Sequence, residues 1–331
     1  MRKKTAIRLC LTMCWAPIAW SLPLDQHPQA AQFIERMATE HDFDRTELRS
    51  LLTDAAIKQT ILDAMDRPAE AKPWHAYRQI FLTDRRIREG AEFWRRHRDL
   101  LEQAERTYGV PPEIIVAILG VETLYGTHTG SFRVLDALAT LAFAYPRRSQ
   151  FFARELEQFL LLSREEQMDP RRPQGSYAGA MGWPQFMPSS FRRYAADFDG
   201  DGKHDIWSNP ADVIASIANY FAEHGWQNGQ PVAAPLPSAA ASLADTELKP
   251  QDTLANLKNR GLTLDTPYPD ELKANVLRLD GENGPEAWLG FTNFYVITRY
   301  NHSPLYAMAV YQLSNAVKSR IERETTHARN E

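Results

Sequence analysis

The sequence predicts a mainly α (α+β) protein with a small β-containing insert and an EF-hand-like calcium loop. Three observations predict it. From about Gln29 to Gln167, charged residues fall between apolar positions three and four apart, as in FIERMATEHDFDRTELRSLL and FFARELEQFLLL, which is the helical period. Between about 245 and 295 that period gives way to short apolar runs joined by turn residues. Residues 197 to 208, DFDGDGKHDIWS, place Asp197, Asp199 and Asp201 at positions 1, 3 and 5 of a calcium loop. Gly202 follows at position 6, where the sharp turn favours a residue without a Cβ.

The chain has 331 residues and is 44% hydrophobic, enough for a water-soluble protein with a substantial core. Its first 21 residues read as a signal peptide, with a basic start (Arg2, Lys3, Lys4), an apolar stretch interrupted by Arg8, and a small-x-small end at Ala19-Trp20-Ser21. The apolar run from Leu9 to Trp20 is well short of the roughly 20 residues that span a bilayer, so export is favoured over a membrane anchor. Both cysteines, Cys10 and Cys14, lie in this segment, which leaves the mature chain without thiols. Cys14 stands where a bacterial lipoprotein would be acylated, but the bulky Met13 fits that processing poorly. Removal of the segment takes four of the 38 basic residues and no acidic ones, leaving 34 against 42 and a net charge of −8. Generic nucleic-acid binding, which needs a clustered basic face, is disfavoured.

Residues 22–230 read as a helical core. Within it, YGVPPEIIVAILGVETLYG shows a helix with its punctuation: Pro111 and Pro112 at the start, an apolar body, and Gly126 beyond the end. Ile115, Leu119 and Glu122 lie at i, i+4 and i+7, so a carboxyl stands on the apolar face. Two readings are open. A partly buried carboxyl has a raised pKa and suits a general acid at neutral pH; a glutamate frayed into solvent at a helix end does nothing. The stretch GSYAGAMGWPQFMPSSF, residues 175 to 191, mixes glycines, aromatics and single polar groups without a regular period, as a loop shaped around a ligand would. Residues 231–293 open on a Pro/Ala/Ser-rich linker or surface excursion, then NVLRLD and EAWLGF, with FYVITRY just beyond them, read as short strands. Residues 294–331 then return to the core, with helix over SPLYAMAVYQLSNAVKSRIERE. His128, His204 and His302 show no metal-binding spacing such as HExxH, and no zinc or organic cofactor is expected.

GVETLYG, DALATLAFAYPRRSQFFARELEQFLLL, GSYAGAMGWPQFMPSSFRRYAADFDGDG, ANYFAEHGW and NFYVITRYNHSPLYAMAV occur in that order and together closely resemble the lytic murein transglycosylase B family. The resemblance covers roughly residues 25 to 320. It implies a lysozyme-like core with a flanking helical subdomain. It also implies cleavage of the β-1,4 bond between N-acetylmuramic acid and N-acetylglucosamine in peptidoglycan, with the muramic C6 hydroxyl attacking C1 to leave a 1,6-anhydro end. Glu122 matches the family's catalytic glutamate, which carries out both proton transfers. By the same matching, Ser176 and Gln185 line the cleft, with Ser176 orienting the N-acetyl group and Met181 and Phe186 as apolar walls. Tyr220, Tyr300, Asn301 and Tyr306 form the far wall, and Tyr77 is a weaker match. Arg147 and Arg148 meet peptide-stem carboxylates or are simply solvated.

A structural calcium is implied at Asp197, Asp199, Asp201, the Lys203 carbonyl and Asp212, with Asp205 competing for the closing position because Ser208 occupies position 12. Expected partners are peptidoglycan glycan strands, with other cell-wall enzymes as candidates, in the periplasm of a Gram-negative bacterium. Trp183-Pro184 depart from the Tyr-Gly expected in close relatives, and Pro304-Leu305 separate two cleft residues. A water-using muramidase, a non-catalytic peptidoglycan-binding scaffold and a calcium sensor are the competing readings; no second EF-hand supports the last.

Overall fold

A computed structural model describes residues 20–21, 27–66 and 72–330. The basic start of the signal peptide and the Cys14 acylation position lie outside the described residues. Strand β1 (Trp20–Ser21) pairs with β2 (Ala56–Ile57), between helices α1 (Pro28–His41) and α2 (Arg45–Asp54) on one side and α3 (Gln59–Met65) on the other. Then come α4 (Trp74–Phe81), α5 (Asp84–Arg96), α6 (Arg98–Tyr108) and α7 (Pro112–Thr123). Strand β3 (Phe132–Arg133) leads into α8 (Val134–Ala144) and α9 (Ser149–Glu165), and pairs with β4 (Gln174–Gly175) beyond them.

Helix α7 is the axis of the core. Its residues from Ile114 to Val121 are all buried, because α5, α6 and α11 (Pro210–Glu223) surround it together with α14 (Pro304–Asn330). A helix that is apolar on every side has no solvated face to give up, and each buried Ile or Leu contributes about 1.5–3 kcal/mol of transfer free energy. Helix α8 is similarly buried against α9 and carries one charge inward. Asp136, 1% exposed, accepts from the Arg133 guanidinium at 2.7 and 3.0 Å and from the Ala56 amide at 3.0 Å, with the Lys58 ammonium 3.4 Å away. This satisfied carboxylate ties the N-terminal helices to the core.

Helix α10 (Pro188–Tyr194) precedes the aspartate loop, and α11 follows it. The insert is a four-stranded antiparallel sheet in the order β5 (Ala233–Leu236), β8 (Gly284–Phe291), β7 (Lys273–Gly281), β6 (Asp252–Thr253), with α12 (Leu254–Asn259) after β6. Alternation along β7 explains its two neighbours: Ala274 and Val276 join Leu254 and Leu257 in a small separate core, while Leu277 and Leu279 join the main core. On the core side, Glu286 accepts from the indoles of Trp74 and Trp288, each at 3.3 Å, seating the sheet against α4.

Two segments differ from the sequence expectations. FYVITRY is helix α13 (Thr292–Tyr300), not a strand. Phe294, Ile297 and Thr298 are buried at a spacing of three and four, so packing against α14 overrides the β preference of its aromatic and β-branched residues. The Pro/Ala/Ser-rich segment begins as β5 rather than as linker, because Ala233 to Leu236 find backbone partners along β8.

Candidate active site

Helix α7 delivers Glu122 one residue before its end. The side chain keeps some exposure, but its carboxyl is held in place: the Tyr306 hydroxyl, from the first turn of α14, donates to Oε1 at 2.6 Å. No described residue donates to Oε2. Burial pushes the Glu122 carboxyl up to about 7, with the Tyr306 bond pulling the other way because it favours the anion. The frayed glutamate is thereby excluded. Near neutral pH this group exists in both protonation states, as a residue that first gives and then takes a proton requires.

The rest of the constellation gathers round it. Tyr306 is buried and Tyr300 half-buried, and both hydroxyls stay protonated, pushed well above the ordinary range by desolvation and by the Glu122 charge. Tyr300 donates to the Pro184 carbonyl at 2.6 Å and Tyr220 to the Arg299 carbonyl at 2.6 Å, so both act as walls with their polar tips already engaged. Their rings pack on one another at 4.8 Å, with Phe186 against both. Tyr77, on α4, is close enough to Tyr306 to raise its pKa further. Asn301, at the end of α13, is partly exposed.

Loop 175–186 meets this cluster at Pro184, whose carbonyl Tyr300 holds. Met181 pairs through its backbone with both Gly175 and Phe186, which folds the loop on itself. Met181 and Phe186 expose 0% and 2%, so they back the loop from beneath. Two polar groups are left oriented. The Ser176 hydroxyl oxygen accepts from the Ala178 and Ala180 amides at 3.3 and 3.0 Å, which leaves its proton to donate outward. Gln185 stands in the left-handed region at φ 53° and spends its amide N–H groups on the Thr129 and Gly182 carbonyls, which leaves Oε1 to accept. Thr123, beside Glu122 and not anticipated from the sequence, donates to the Trp183 carbonyl at 3.0 Å and so joins the end of α7 to this loop.

Arg147 and Arg148 stand just before α9. They are exposed, Arg147 lying 3.8 Å from Asp66 and Arg148 stacking on Phe151 at 4.3 Å. In the aspartate loop, carboxylate oxygens of Asp197, Asp199 and Asp212 come within 4.8 Å of one another. Asp201 is turned away, accepting from the Lys203 amide at 2.9 Å, and Asp205 instead caps Trp207 and Ser208. Asp212 is buried and accepts from the Phe198 and Asp205 amides, both at 2.8 Å. Its pKa is raised, chiefly by burial and also by the Asp199 and Asp197 charges. Three like charges converging in this way suit an oxygen-ligated divalent cation.

A carboxyl raised to about 7 at the end of a core helix, tied through Thr123 and Tyr300 to a loop that keeps a hydroxyl proton and an amide oxygen unspent, is the equipment of an acid-base enzyme. The chain matches the transglycosylase SLT domain over residues 25–315. It is 47% identical over 301 residues to the membrane-bound lytic murein transglycosylase B of Escherichia coli K12, covering 88% of this chain and 83% of that protein. The soluble lytic transglycosylase SltB1 of Pseudomonas aeruginosa superposes with a TM-score of 0.83 at 51% identity, covering 88% of this chain and 99% of that one. The E. coli lytic transglycosylase Slt35, solved in complex with calcium, superposes with a TM-score of 0.84 at 45% identity, covering 92% and 97%. The chain belongs to the transglycosylase SLT domain family.

Proposed function

We infer that Glu122 is the single acid and base with which this lytic transglycosylase cleaves peptidoglycan glycan strands. The observation that supports this most directly is a carboxyl raised to about 7 whose charge is influenced by burial and one tyrosine, and by no second carboxylate. Glycosidases that use water normally pair two carboxylates, one as acid and one as nucleophile or base. Here the protonated Glu122 gives its proton to the glycosidic oxygen as the bond from C1 of N-acetylmuramic acid to that oxygen breaks. The substrate's N-acetyl carbonyl, oriented by the Ser176 hydroxyl, stabilises the electron-poor C1. The C6 hydroxyl then closes on C1 and returns its proton to the Glu122 carboxylate, leaving a 1,6-anhydro end. Gln185 and Asn301 supply acceptors and donors for the sugar, and Tyr77, Tyr220 and Tyr300 supply its walls. Digestion of purified sacculi in water enriched in ¹⁸O is expected to give anhydro ends without label. Labelled, hydrated reducing ends would make the protein a muramidase instead.

We further propose that Asp197, Asp199 and Asp212, with Asp201 and the Lys203 carbonyl drawn in, hold a structural calcium. The relative solved with calcium and the three converging carboxylates support this. The ion would supply charge neutralisation and so pin the segment between loop 175–186 and α11. At a free calcium concentration of 100 times Kd, binding adds about 2.7 kcal/mol. Chelation should therefore lower Tm by roughly 4 °C. Asp199→Asn should make Tm insensitive to chelator, and a parent protein whose Tm ignores both calcium and chelator rules the site out. Export to the periplasm is also proposed, on the N-terminal signal sequence; among the described residues no helix is long and apolar enough to cross a membrane.

A further inference from the structure

We propose that Arg86 is a positioning residue for Glu122, gripping the end of the catalytic helix from both sides. The inference rests on Glu122 being the acid. Helix α7 does not end on a glycine. It ends on three successive left-handed residues, Leu124 at φ 49°, Tyr125 at 56° and Gly126 at 86°. For the first two, which carry side chains, that backbone costs roughly 1–2 kcal/mol each. Such strain persists only where neighbouring groups over-determine the geometry.

Arg86 supplies those groups. Its Nε donates to the Gly120 carbonyl at 2.7 Å, two residues before Glu122. That carbonyl lies in the final turn, where the helix has no amide of its own left to offer and where a cation is favoured. Three residues after Glu122, the Tyr125 hydroxyl donates to the Arg86 backbone carbonyl at 2.8 Å. The hydroxyl reaches it through a slot between two glycines. A Cβ on Gly120 would stand 2.5 Å from that oxygen, and one on Gly90 would also overlap it. One residue therefore holds the chain on either side of the carboxyl.

The same guanidinium reaches a second element. Its Nη1 donates to the Ile80 carbonyl at 2.5 Å and to the Phe81 carbonyl at 3.4 Å, and the group lies 5.3 Å from the centre of the Phe81 ring. Ile80 and Phe81 end α4, the helix that carries Tyr77. Arg86 thus fixes the distance between Glu122 and the wall behind Tyr306. Without it, the left-handed turn is free to relax and Glu122 to swing away from the Tyr306 hydroxyl toward solvent. A carboxyl in that position no longer meets the glycosidic oxygen, whereas the sugar contacts of loop 175–186 are untouched. The loss should therefore fall on kcat rather than on KM.

The test compares Arg86→Ala, Arg86→Lys, Tyr125→Phe and Glu122→Gln on a soluble peptidoglycan tetrasaccharide, with Tm followed for each. For Arg86→Ala, kcat is expected to fall about 10- to 100-fold, the scale set by a misplacement near 1 Å, with KM changed less than about threefold. The alkaline limb of its pH profile should move to lower pH as Glu122 becomes hydrated. Arg86→Lys should recover little, because an ammonium cannot serve the Gly120 and Ile80 carbonyls as a rigid fork does. Tyr125→Phe, which removes one hydroxyl, should lose roughly threefold or more in kcat with its fold intact, and it decides the matter if the Arg86 variants do not fold. If Glu122→Gln is inactive while Arg86→Ala, or in its place Tyr125→Phe, keeps the parental kcat and pH profile or loses only in KM, the clasp is refuted and Glu122 stands. If Glu122→Gln keeps the parental rate, Glu122 is not the acid and the clasp falls with it.

Discussion

Glu122→Gln is expected to lower the rate of peptidoglycan cleavage about a thousandfold or more while leaving glycan affinity close to that of the parent. The amide is nearly isosteric, and its carbonyl oxygen can still accept from Tyr306, so the geometry of Oε1 at 2.6 Å is kept. What disappears is the transferable proton. General acid catalysis contributes typically 10²- to 10⁴-fold, and in the mechanism proposed here the same group also serves as the base. Single-turnover rates on sacculi, read beside pull-down of the variant on the same material, separate the two quantities. A variant that cleaves at the parental rate removes Glu122 from the reaction, and one that neither cleaves nor binds shows that the substitution has disturbed the cleft.

The second expectation concerns pH. With the Glu122 carboxyl raised to about 7, kcat/KM should fall tenfold per pH unit above that value, because the free enzyme must carry the proton it donates. Tyr306→Phe removes the hydrogen bond that favours the anion, so its alkaline limb should move to higher pH, even though the less well held carboxyl turns over more slowly. A limb that stays put, or moves down, would show that Tyr306 does not bond to the carboxylate in the working enzyme. The same shift has a stability side. A carboxyl whose folded pKa lies above its ordinary value of 4.5 contributes stability that is fully present below 4.5 and is lost as pH rises through about 7. At pH 8 the ionised, buried Glu122 costs the fold up to about 3 kcal/mol, at 1.36 kcal/mol per pKa unit. Glu122→Gln should therefore melt at a higher temperature than the parent at pH 8 and lose that advantage near pH 5.

Local signals carried the helices and one site residue. Pro111 and Pro112 mark the start of α7, its apolar body states that it is central, and the i, i+7 spacing puts Glu122 on the inner face without any knowledge of the fold. The β7–β8 hairpin is legible in the same way, since NVLRLD and EAWLGF flank a turn. FYVITRY was misread because its composition suits a strand, and only burial against α14 decides for helix. The partners of Glu122 were legible only through resemblance: Tyr306 lies 184 residues further on, and no spacing rule reaches that far. Arg86 gave no signal at all. In DRRIREGAEFWRR it is one of several arginines on an amphipathic helix, and nothing local distinguishes the one that turns inward to the Gly120 carbonyl. Asp201 has the ligand spacing, yet its side chain bonds to the backbone two residues on, so spacing alone does not show where that side chain points.

The distance between Glu122 and Tyr306 also orders events in time. A chain made from its N-terminus presents the carboxyl long before the hydroxyl that holds it. Until residues beyond Pro304 arrive, α7 lacks the helix that covers it, and Gly120 lacks the Leu313 side chain that packs over it. A chain without α14 in place therefore lacks both the cover and the hydrogen bond that set the Glu122 carboxyl apart from an ordinary one. The carboxyl and the hydroxyl that holds it therefore come together only when α14 packs onto α7, so the site is completed by one of the longest-range contacts in the fold.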